Sequence, residues 1–105
     1  MNKIHVVYVK CTLSAGAFPS ECIFRFPAPT GGVYDGVAPL HYCFDENRKR
    51  LTSELPSDQE QEGSVAGIEI SRAGGVSRVE LPNGELYEVS EPFIIRVEAA
   101  TRVPV

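Results

Sequence analysis

The sequence predicts an all-β domain, and three observations predict it. The chain has 105 residues with 9 Gly and 8 Pro, placed so that only residues 1–15, 40–55 and 93–103 run longer than ten positions without either. That punctuation leaves little room for ordinary helices. Between the breaks, apolar and polar residues alternate over short runs, the period of half-buried strands. Val, Ile, Leu and Phe make up more than a quarter of the chain, enough to build a core. The expected architecture is one domain over residues 1–105, a small barrel or sandwich of six to seven mostly antiparallel strands. A barrel is attractive because closure removes exposed strand edges.

The same arithmetic excludes function classes. The chain is too short for a Rossmann dehydrogenase or a TIM barrel. No apolar run is long enough to cross a membrane as a helix, so no membrane partner is expected. A net charge of −4 argues against a surface that binds nucleic acid everywhere, while leaving room for a local basic patch. The opening MNKIHVVYVKCTL has a short apolar stretch interrupted by His5 and closed by Lys10, too polar for a signal-peptide core. A cytoplasmic setting is expected. Cys11, Cys22 and Cys43 are odd in number and form no CxxC pair, which predicts reduced thiols rather than disulfides or a zinc finger.

The elements follow in order. Residues 3–13 and 21–27 read as a hairpin around the loop SAGAFPSE. If paired numbers sum to 33, Cys11 faces Cys22 and Val9 faces Phe24. Val7, Val9, Cys11, Leu13, Cys22, Phe24 and Phe26 then share one apolar face, and Tyr8, Lys10, Thr12, Glu21, Ile23 and Arg25 the other. Residues 28–36 read as loop. A third strand is expected over 37–45, with Leu40, Tyr42 and Phe44 toward the core, and with Pro39 marking its start or an edge. DENRKR reads as a tight turn into a short strand at 49–52, followed by a flexible polar loop at about 53–63. A fourth strand is expected over 64–72 with Ala66, Ile68 and Ile70 on one face, then a turn at Ala73-Gly74-Gly75.

Residues 76–90 carry the strongest local signal. A two-residue turn at Asn83-Gly84 would mix apolar and polar residues on both faces. A three-residue loop sorts them better: Pro82 and Asn83 form a type I turn and Gly84 takes the left-handed bulge position. Val79 then faces Tyr87, Arg78 faces Glu88, and Leu81 and Val89 join the apolar side. A last strand is expected over 93–99 with Phe93, Ile95 and Val97 on one face, and a tail over about 100–105.

Gly63 before a Val-x-x-Ile strand, the Pro82-Asn83-Gly84 hairpin, a Tyr-x-Val strand and the Glu91-Pro92-Phe93 crossing lie within residues 63–97. This third of the chain resembles the meander of an SH3-like small barrel. The resemblance implies that fold, which is favoured here over a sandwich. Such barrels take ligands from proline-rich peptides to methylated tails and RNA, so the resemblance implies no particular function.

Three constellations carry possible chemistry. His41, Cys43 and Asp45 alternate on the expected third strand, so they would stand in a row on one face as metal ligands or as a thiol site. Ligands on one strand converge poorly, and a half-exposed strand face is the simpler account. Arg48, Lys49 and Arg50, with Arg25 nearby in a barrel, would suit single-stranded nucleic acid if aromatic residues stood beside them. The acidic stretch 54–62 opposes phosphate, and Tyr42 and Phe44 are expected in the core. Gly31-Gly32 and Gly74-Gly75 lack phosphate-loop context and read as turns. Glu80, Glu85, Glu88 and Glu91 read as a solvated outer face with Arg78 as partner. No catalytic signature appears, so no catalytic residue and no cofactor is expected. The resulting expectation is a non-enzymatic domain whose partner is another protein or a second copy, with nucleic acid at Arg25 and Arg48–Arg50 as the disfavoured alternative and a His41/Cys43/Asp45 site as the third.

Overall fold

The alternating runs form eight strands in the computed structural model, which describes residues 5–96. They are β1 (His5–Ala15), β2 (Glu21–Pro27), β3 (Val33–Pro39), β4 (Cys43–Asp45), β5 (Glu60–Ala73), β6 (Val76–Glu80), β7 (Leu86–Ser90) and β8 (Ile94–Arg96). Two single-turn 3-10 helices, Leu40–Tyr42 and Glu91–Phe93, lead into β4 and β8. All pairs are antiparallel, in the order β3-β2-β1-β5-β6-β7, and the sheet curls into a half-barrel.

The two long strands form the spine. β1 pairs β5 from His5↔Glu69 to Ser14↔Glu60. The other edge of β1 is shared by β8 at residues 7–9 and β2 at residues 12–15. The other edge of β5 is shared in the same way, by β4 at residues 63–65 and β6 at residues 68–73. Ala66 and Gly67 therefore lie in a gap between the ends of β4 and β6.

The concave side holds the core, built on Val7, Val9, Leu13, Phe24, Phe26, Val65, Val79 and Val89. Each fully buried side chain of this kind contributes about 1.5–3 kcal/mol relative to exposure. β3 and β7 end the strand order and do not pair with each other among the described residues. Side chains close that seam instead: the Tyr34 ring on β3 meets Tyr87 on β7 edge-on at 5.3 Å, over Phe24 and Phe26. Edge-to-face aromatic pairs add about 0.5–1.5 kcal/mol beyond their buried area.

The 76–90 hairpin forms as its turn residues dictate. Arg78 pairs Glu88 and Val79 pairs Tyr87. Gly84 N–H donates to Leu81 O at 2.8 Å, and Gly84 has φ 85°, a conformation in which a Cβ is strained. Gly74-Gly75, both with positive φ, close the β5–β6 hairpin, and Gly31-Gly32 close β2–β3. The three cysteines are free and buried.

Other expectations are corrected. The first hairpin has the expected faces, but its paired numbers sum to 37, with Leu13↔Phe24 and Ala15↔Cys22. A slip of four keeps every side chain on its face, so alternation alone does not detect it. Cys11 and Cys22 are therefore not cross-strand partners. Residues 33–36, expected as loop, belong to β3. The single strand expected over 37–45 is broken: Pro39 ends edge strand β3, Leu40 N–H donates to Ser20 O at 2.7 Å, and a 3-10 turn follows. Three residues per turn reset the two-residue alternation. Cys43 now faces the core, Phe44 packs on the outer side of β5, and Tyr42 is exposed.

The 45–50 turn is present, held by Asp45 Oδ1, which accepts from the amides of Asn47 and Lys49. The short strand expected at 49–52 is only a bridge at Arg50. Glu60–Gly63, expected in the polar loop, begin β5, and Leu55 of that loop is buried in the core. β5 also turns the opposite face inward: Val65 and Gly67 point to the core, while Ile68 and Ile70 are exposed. In β8 it is Ile94, paired with Val9, that packs on the core, rather than Ile95. The expected strand residues 97–99 and the tail lie outside the described residues.

Candidate functional site

The outer face of the sheet carries an apolar site, because at one end of the β1–β5 ladder the outward residues Val6, Ala66 and Ile68 are apolar while Val7 and Val65 fill the inside. Register aligns Val6 with Ile68, Ile68 with Glu80, and Glu80 with Leu86, so one outward row crosses four strands. Beside it, the gap in the β5 edge opens a groove of about 270 Å³. Its walls are Val6, Tyr42, Ala66, Ile68, Leu81 and Pro82, and its one charged group is Glu80.

Next to the groove stands a protrusion. The β5–β6 register shifts between Glu69 and Ser71, and Ile70 is the extra residue. Such a bulge re-aims a side chain, and Ile70 is left 54% exposed. Ser71 pairs with Arg78, two residues before Glu80 on the same outer side of β6. Val6, Tyr42, Ile68, Ile70 and Leu86 are five of the large exposed hydrophobics of the described residues. Scattered exposed hydrophobics need no explanation, but a grouped set does.

The sequence-predicted site residues fall elsewhere. His41, Cys43 and Asp45 do not stand in a row: Cys43 and Asp45 share one face of β4, but the 3-10 turn takes His41 out of their line. His41 is exposed and stacks on Tyr42, with ring centroids 4.5 Å apart. Cys43 is fully buried, and its thiol donates to Pro39 O at 3.6 Å. Asp45 caps its own turn. Among the described residues, no group of three His, Cys, Asp or Glu side chains is placed to hold a metal ion. The Cys22 sulfur beside it and its burial push the Cys43 thiol up, and burial pushes Cys11 up to about 12. Both stay protonated near neutral pH, and a thiol is a poor nucleophile or ligand.

Arg25, Arg48, Lys49 and Arg50 are exposed, and carboxylates stand among them. Arg25 lies 3.5 Å from Glu60. Arg48 shares a small hollow with Asp45, Glu46 and Glu62. Arg50 alone meets an aromatic ring, its guanidinium 5.7 Å from the Phe44 centroid, and Tyr8 packs edge-on against the same ring at 5.1 Å.

Sequence reasoning missed a polar cluster at one end of the half-barrel. Arg96 on β8 donates to Glu69 Oε2 at 2.6 Å and pairs with Glu91. Fully buried Ser77 donates to the same Glu69 oxygen at 2.7 Å. Burial alone would raise the Glu69 carboxyl, but the hydrogen bonds from Ser77 and Arg96 and the Arg96 charge outweigh it and hold it low. Glu91 thus serves Arg96 rather than the outer face with Arg78. No local spacing signals this, because the partners come from β5, β6, β8 and the preceding turn. The cluster pins β8 to the sheet.

Fold and face together define a small β half-barrel with an apolar groove on its outer side. No helix among the described residues is long and apolar enough to cross a membrane. The chain matches no known family, no curated protein and no solved structure.

Proposed function

We propose that this protein is a non-enzymatic interaction domain that docks another protein chain on the outer face of β1, β5, β6 and β7. The observation that carries the reading is one groove lined by exposed Val6, Tyr42 and Ile68, with exposed Ile70 and Leu86 on the same outer face. Apolar area removed from water yields roughly 25 cal/mol per Å², so covering such a face favours association. Kinship with SH3-like barrels is supported by the β5–β6–β7 meander and the Pro82-Asn83-Gly84 hairpin. The three unpaired thiols support a reducing, cytoplasmic setting.

The test uses Nile red, a neutral dye that brightens on apolar surface, at low micromolar protein. Enhanced fluorescence that Ile68→Glu removes, with an unchanged melting temperature, is the expected result. No enhancement by the wild type, or an enhancement indifferent to Ile68→Glu, overturns the reading.

Nucleic acid at Arg25, Arg48, Lys49 and Arg50 is the second reading, supported by the exposure of all four side chains. Its test is a short RNA titrated at low salt into the isotope-labelled protein. Amide shifts at 48–50 would sustain it, and unmoved spectra would remove it.

A further inference from the structure

We infer that the chain covering this outer face is a second copy of the same protein, packed end for end across β6; the inference rests on the docking reading above. A two-fold contact requires one surface patch to complement itself. Here knob and hole lie side by side. The bulge lifts Ile70 at the level of Arg78, and the groove opens beside Ile68 at the level of Glu80.

Consider a two-fold axis lying between two such faces and running across the strands at the level of Val79. It exchanges the Arg78 level with the Glu80 level while keeping β5 over β5 and β6 over β6. Ile70 of each copy then meets the groove beside Ile68 of the other, and Arg78 of each meets Glu80 of the other. Neither Arg78 nor Glu80 is in an ion pair among the described residues, so both charges are available. Arg78 does have Glu88 as its cross-strand neighbour, and in this arrangement Leu86 of the other copy lies over the Glu88 stem.

The five exposed hydrophobics present on the order of 400 Å² of surface, about half of the roughly 800 Å² per partner of a standard interface. An apolar patch of that size fits a reversible dimer rather than an obligate one. A partner of other sequence would need the same alternation of protruding aliphatic and basic residues, and this chain already carries it.

Sedimentation equilibrium and light scattering at about 200 µM test the inference, at a concentration high enough to populate a micromolar dimer. The wild type is expected to be a dimer. Glu80→Lys sets like charges together twice and is expected to weaken association roughly tenfold or more, as is Arg78→Glu. The double variant Arg78→Glu with Glu80→Lys reverses both pairs and is expected to restore the dimer. Both positions are exposed, so in dilute solution Glu80→Lys should melt as the wild type does, while Arg78→Glu, set opposite Glu88, should melt slightly lower. A wild type that stays monomeric, or a dimer indifferent to all three variants, overturns the inference. A monomer that still brightens Nile red through Ile68 would leave the docking reading standing, whereas a monomer without dye binding would remove both.

Discussion

Two faces of β5 make an instructive comparison. Inward, Val65 and Gly67 lie at the bottom of the core, and Glu69 is held by Arg96 and Ser77. Outward, Ala66, Ile68 and Ile70 are more apolar as a set, yet Ile68 and Ile70 remain exposed. The richer apolar face is thus the one left outside. Hydrophobicity identifies a face to be buried, but it does not say whether the covering surface belongs to the same fold. On this strand the core is lined by the smaller residues because β6 approaches closely there, and the larger ones are left for an external surface.

The comparison predicts a steep difference in substitution effects between the two sides. Phe24→Ala, inward and stacked among Phe26 and Tyr87, is expected to cost about 3–5 kcal/mol in urea unfolding. A loss below about 1 kcal/mol would mean that the concave side is not the tightly packed one. Gly67→Ala comes next. A Cβ there would sit 2.7 Å from both Leu81 Cδ2 and Val79 Cγ1 and 2.9 Å from Glu80 O. Backbone and core must both shift, at about 1–3 kcal/mol, read as a lowered urea midpoint.

Glu69→Gln tests the polar end of the inward face. A carboxyl held low in the folded state stabilises the fold above its unfolded value of about 4.3, and that contribution is lost as pH falls through the lower folded value. The wild-type melting temperature should therefore drop on acidification from pH 6 to pH 3. Glu69→Gln should melt a few degrees lower at pH 7 and fall less steeply over that range. Equal slopes would show that Glu69 titrates as it does in the unfolded chain. The smallest effect belongs to the outward side: Ile70→Ser should change monomer stability by no more than about 0.5 kcal/mol, measured in dilute solution. A larger loss would place Ile70 in the core and remove the contrast.

What was legible in the sequence depended on how local its cause is. Pro82-Asn83-Gly84 set the β6–β7 register because turn chemistry acts within five residues. The faces of β1 and β2 were legible from alternation, while their register was not, since a slip of four preserves parity. The 3-10 turn at Leu40–Tyr42 was hidden because its entry depends on Ser20 O, a partner from another strand end. Leu55, alone in a polar loop, gave no periodic signal of its burial. The groove was illegible for a related reason: it exists only where β4 and β6 stop short of each other along β5. Its residues come from five elements of the chain, and no spacing joins them.

The β1–β5 pairing also bears on how quickly the chain acquires its fold. This ladder joins residues 5–14 to residues 60–69, so the spine forms only after most of the chain has been synthesised and looped back. Loop closure of that span precedes any reward from the contacts it makes. Domains dominated by such distant pairings fold in roughly milliseconds to seconds, slower than helical bundles of similar size. The β6–β7 hairpin has local turn chemistry, so the first native pairing is expected there, although an isolated hairpin stays marginal until the rest of the sheet packs on it. Until β1 and β5 meet, the inward valines and the outward isoleucines are exposed together. During that interval the chain carries two apolar surfaces rather than one, which is when chaperone contact or misassembly has its opportunity.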